Sequence, residues 1–189
     1  MWNLDIVTLP NFLGFGALFA YIFTLLPSGL RVVFPSIKKA PIPTILLKYR
    51  RQIGVLAFLL ALGHTWLLVR KRNFDFFDIE TYEIYAQGSA TFIIFTLLAF
   101  TSNDWSVKKL KKNWRELHKL TYLAIFLLIW HIQDKMSGHW SWITPLGYCG
   151  ITLALILFLR RKWLEWPWPE DKIKQATDHL HKEKLINQQ

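Results

Sequence analysis

Three of the six histidines in this 189-residue chain, His64, His118 and His131, fall inside long apolar runs. An imidazole in such a run is expensive to bury without a partner, so it marks a functional site by default. Two kinds of chemistry are open to it. It can ligate haem iron axially, or it can pack with a hydrogen bond to a neighbouring carbonyl. One histidine alone would leave these readings even, and three on two helices favour the ligand role. No Cys-x-x-Cys-His motif is present, so a haem here is expected to be non-covalent and b-type.

Spacing along the helices sharpens this. Counted from the expected cytoplasmic ends at 1.5 Å per residue, His64 lies about 20 Å above Arg51 and His131 about 25 Å above Trp114. His118 lies only about 6 Å above Trp114. His64 and His131 can therefore meet across one haem, with His118 nearer the cytoplasmic side. The step from His118 to His131 turns the helix so that the two rings point about 140° apart. Either they face different neighbours or a bulge adds a residue. The position that matches His118 on the other helix is Arg51, so a second haem with two histidine ligands is not supported. Arg51 suits a haem propionate, a quinone or a flavin phosphate, or else a simple positive-inside anchor. The candidate site is thus His64, His131, His118 and Arg51, with one haem b and room for a second. His139, between tryptophans, and the tail residues His179 and His181 carry weaker signals.

The elements that must hold these residues are membrane helices. The chain is 52% hydrophobic yet carries 23 Lys and Arg and 13 Asp and Glu. Apolar runs alternate with basic clusters, the pattern of a polytopic helical membrane protein. Five spans are expected: Phe12 to Pro27, Gln52 to Val69, Ile84 to Phe100, Trp114 to Ile132, and Pro145 to Leu159. Basic residues concentrate after the first, third and fifth spans, which puts the N-terminus outside and the C-terminus in the cytoplasm. Arg70, Lys71 and Arg72 oppose that assignment. The net charge of +10 is explained by these anchors rather than by nucleic-acid binding. The first apolar stretch lacks the basic leader of a signal peptide and is expected to be a retained helix. Pro35, Pro41 and Pro43 should keep the first loop from being helical throughout. The expected division is a haem-binding helix bundle over residues 1–165 and a polar cytoplasmic tail over 166–189. Single Cys149 forms no disulfide within the chain.

Other chemistries lack their motifs. Gly14-Phe15-Gly16 has no third glycine and lies in an apolar run, so it is no dinucleotide fingerprint. No segment is long enough for a soluble flavin or nicotinamide domain. Electrons must come from a separate reductase, a quinol or a weakly bound flavin.

Arg50-Arg51-Gln52-Ile53-Gly54 followed by His64, the turn Thr101-Ser102-Asn103, and Trp114-Arg115-Glu116-Leu117-His118 with His131 further on resemble ferric reductase-like transmembrane domains. The resemblance covers roughly residues 45 to 160. Within that family the chain most resembles a small stand-alone branch, the membrane haem subunit of a methionine sulfoxide reductase system. The resemblance implies an all-α membrane bundle that carries electrons on haem b from a cytoplasmic reductase, flavin or quinol to an outer-face redox protein. In it His64, His118 and His131 match the haem-associated histidines. The host membrane would be a bacterial inner membrane or a photosynthetic internal membrane. Two alternatives stand beside this one: a direct ferric or metal reductase, and a structural or assembly subunit of a larger membrane complex.

Overall fold

The structure, a computed structural model, describes residues 7–37, 40–71, 79–135 and 141–166. Among them every regular element is a helix: α1 Leu9–Val33, α2 Pro41–Lys48, α3 Arg50–Lys71, α4 Ile79–Phe100, α5 Asp104–Leu110, α6 Lys112–His118, α7 Leu120–Lys135 and α8 Ile143–Leu164. A short 3₁₀ turn, Pro35–Ile37, precedes α2. The tail, the loop residues 72–78, and His139, His179 and His181 lie outside the described residues.

The local sequence explains where the helices start and stop. α1 opens with a proline in its first turn, where a missing N–H costs nothing. The expected span stopped at Pro27, but the helix runs through that proline to Val33. In an apolar medium a broken helix leaves backbone groups without water, so continuing is the cheaper state. Nearby hydroxyls back-bond to the same stretch: Thr24 donates to the Tyr21 carbonyl and Ser28 to the Leu25 carbonyl. The first loop is helical in part, with Pro41 and Pro43 confined to the opening turn of α2. The loop after α4 also contains a helix, α5, capped by Asn103, whose Oδ1 accepts from Ser106 N at 2.8 Å.

The expected fourth span is two helices. At Lys119 the ladder tightens into i to i+3 bonds, Lys119 N to Glu116 O at 3.0 Å and Tyr122 N to Lys119 O at 2.9 Å. This is a 3₁₀ joint, the opposite of a bulge, and it leaves His118 and His131 facing different neighbours.

Cross-helix contacts fix the helix directions. Gly14 meets His64 and Gly54 meets Thr24, so α1 and α3 are antiparallel. Gly88 meets His131, while Trp114 Nε1 donates to the Thr101 carbonyl at 2.8 Å, so α4 runs against α6 and α7. Gly147 meets Phe15 and Gly29 meets Leu157, so α1 and α8 are parallel. α1 is the central helix and contributes Phe15, Leu18, Tyr21, Ile22 and Leu25 to the core. The Tyr21 hydroxyl donates to the Thr121 carbonyl and ties α1 to α7.

The outward faces are as apolar as the core. α3 buries only Ala57, while Leu56, Leu59, Leu62, Trp66 and Val69 are exposed. α1, α3 and α8 are each long and apolar enough to cross a bilayer. Exposed apolar surface on this scale is stable only against lipid, so the protein is an integral membrane protein with an all-helical bundle.

Candidate functional site

Two cavities between the helices bring the candidate residues together. The first is lined by His64 from α3 and His131 from α7, with Gly14, Gly88, Phe92 and Leu128 around them. The second is lined by His118, Arg50, Arg51, Arg115 and Lys119, with Tyr21. Phe95 lines both and so stands between them. His64 and His131 therefore share one cavity, and His118 and Arg51 share the other.

Glycine creates the space for the rings of the first cavity. A Cβ at position 14 would stand 2.9 Å from His64 Nδ1, and one at position 88 would stand 3.1 Å from His131 Cε1. The His64 ring is oriented from α1, with Nδ1 lying 2.6 Å from the Pro10 carbonyl oxygen. That oxygen can only accept, so Nδ1 carries the proton and, in the neutral ring, Nε2 holds the lone pair. The remaining wall is mostly apolar, including Ala17, Leu18, Ala61 and Phe95. A second polar pair lies close by: Gln87 Nε2 donates to Asp134 Oδ2 at 2.7 Å, next in sequence to Gly88 and one helical turn beyond His131.

The residues present fit a haem better than a bare metal ion. Among the described residues no three His, Cys, Asp or Glu side chains converge to hold an ion. Two imidazoles suffice where a macrocycle supplies the other ligands, and mostly apolar walls suit its flat faces.

The second cavity is polar and cationic. The His118 ring stacks on Trp114 with centroids 3.9 Å apart, and its Nε2 lies 3.2 Å from Thr101 Oγ1. The Thr101 hydroxyl already donates to the Leu97 carbonyl at 2.6 Å, so His118 Nε2 donates to it. Arg51 is held at the rim, where NH1 donates to Asp104 Oδ1 at 2.7 Å. The same contact holds the Asp104 carboxyl below its ordinary range.

Sequence reasoning missed three participants. Arg50, beside Arg51, reaches the second cavity as well. Gly14 was read only as half of a failed nucleotide motif, and Pro10, just before the first expected span, was not singled out. The available signal was a glycine four residues after a proline in an apolar helix, and its meaning depended on which helix packs there.

Fold and site together define a class: a helical membrane bundle with two half-buried imidazoles lining one mostly apolar cavity and a cationic cavity beyond it. The ferric reductase like transmembrane component family matches residues 13–129. The chain belongs to that family. It is 34% identical over 164 residues to the protein-methionine-sulfoxide reductase heme-binding subunit MsrQ of Brucella ovis, an alignment that covers 83% of this chain and 70% of that protein. The proteins of the same description from Brucella canis and Brucella suis match to the same extent. No solved structure matches the chain.

Proposed function

We propose that the chain is a membrane b-type cytochrome that passes electrons from a cytoplasmic-side donor to an acceptor at the outer face. The observation that carries this reading is the pair His64 and His131, brought from different helices to one cavity. The name of the relatives, heme-binding subunit, supports it independently. Haem b held there supplies one-electron carriage without proton or atom transfer.

The chain's own residues do the rest. His64 and His131 would hold the haem iron through their imidazole nitrogens. Phe92, Leu128 and the other apolar walls exclude water and fix the local dielectric. Arg50, Arg51, Arg115 and Lys119 make the second cavity attractive to an anionic redox group. A flavin phosphate or the propionates of a second haem carry that charge, and the neutral carbonyl oxygens of a quinone accept hydrogen bonds from the same donors. Electrons enter there, near His118, from a cytoplasmic reductase or a quinol.

The alternating helix directions support five crossings, with the start of α1 outside and the end of α8 in the cytoplasm. The acceptor is an outer-face redox protein, and the relatives point to a methionine sulfoxide reductase. The host membrane is a bacterial inner membrane. The bundle to residue 165 is the redox domain and the remaining tail is an appendage to it.

The test is a reduced-minus-oxidised absorbance spectrum of the detergent-purified chain with pyridine haemochrome quantitation. At least one b-type haem per chain is expected. A preparation that binds no haem under gentle extraction would contradict the reading.

A further inference from the structure

The first turn of α1 touches His64 in a more specific way than packing needs. The Pro10 carbonyl accepts from His64 Nδ1 at 2.6 Å. One helical turn on, Gly14 lies flat against the same ring. An added Cβ would come within 2.9 Å of Nδ1 and 3.0 Å of Cε1. A carbonyl has two lone pairs, so Pro10 can serve both its own helix and the ring. The contact is local to this site: at Gly16, on the same helix, an added Cβ would meet the Leu60 methyls at an ordinary 3.4 and 4.0 Å.

We propose that Pro10 and Gly14 are positioning residues for His64, setting its tautomer, its ring plane and the electron density it delivers to a bound iron. The inference rests on the haem reading above and adds a control element to it. A strong Nδ1–H bond to a carbonyl shifts negative charge onto the ring and makes Nε2 a better donor. A better donor stabilises ferric over ferrous iron, so the bond holds the reduction potential down. The glycine is needed because any side chain at position 14 pushes the ring out of reach of the carbonyl. The proline side chain is not needed, because every residue at position 10 presents the same carbonyl.

The experiment compares wild type, Gly14→Ala and Gly16→Ala, purified with haem, by potentiometric titration and low-temperature EPR. In the loaded fraction of Gly14→Ala the midpoint potential rises, by about 59 mV for a tenfold loss of ferric preference. The low-spin EPR signal moves with it. Gly16→Ala keeps the wild-type potential and signal. A Gly14→Ala haem with wild-type potential and wild-type EPR would overturn the proposal and reduce Gly14 to a packing residue. A measurement on the wild type alone covers the case in which Gly14→Ala does not assemble. In redox-difference infrared spectra with isotope-labelled histidine, one ligand ring mode should sit at the strong Nδ1 hydrogen-bond position. Its absence for both ligands would overturn the proposal. Absence of haem from the wild type would instead overturn the reading beneath it.

Discussion

Each histidine of the first cavity is held by a different neighbour. His64 leans on α1 through Pro10 and Gly14, and His131 leans on α4 through Gly88. A Gly88→Ala variant should therefore act on His131 alone. Its Cβ would press on the ring at 3.1 Å, so haem should be retained less tightly while the His64 contact persists. Haem dissociation to apomyoglobin measures this, and an unchanged off-rate would count against His131 as a ligand. At the second cavity, replacing His118 and Arg51 by alanine should leave the first haem bound. It should also slow its reduction from the cytoplasmic side by tenfold or more, read by stopped-flow with a flavin donor. That His64 and His131 reach one cavity was legible in the sequence because depth follows from the helical rise. Gly14 was not legible, since its role depends on α1 packing against α3.

At the level of elements, the joint between α5 and α6 carries visible backbone strain. Lys111 adopts φ 47° and ψ −112°, a region that favours glycine. Lys111→Gly should raise stability by about 1 kcal/mol, seen as a higher Tm in detergent. An unchanged or lower Tm would show that the lysine side chain compensates for the strain. Close packing of α1 with α8 makes the opposite prediction for Gly147→Ala. A Cβ there would stand 2.9 Å from the Phe15 ring, and overpacking of this kind costs about 1–3 kcal/mol. The long helices were readable from apolar run length. Their ends and the short helices α2 and α5 were not, because those depend on caps and on proline tolerated in a first turn. The division of the fourth span at Lys119 had no apolar signature at all.

For the whole molecule, charge and aromatic residues gather at the end of the bundle proposed to face the cytoplasm. Lys109 lies over the Trp105 ring at 4.5 Å and Arg160 over the Trp163 ring at 5.3 Å. Both pairs sit at the end where α4 and α8 finish, as interfacial anchors should. Arg70 and Lys71 end α3 on the other side, and they are outnumbered. In a Cys149→Ser background, an impermeant maleimide added outside intact cells should label Trp142→Cys and spare Lys111→Cys. The reverse pattern would invert the bundle and with it the direction of electron flow.

The central claim is that His64 and His131 together hold one haem. It is tested most directly by haem content and EPR of the wild type beside His64→Ala, His131→Ala and His118→Ala. A low-spin signal from two imidazoles should disappear in each of the first two variants and persist in the third. Survival of that signal in either His64→Ala or His131→Ala would contradict the claim.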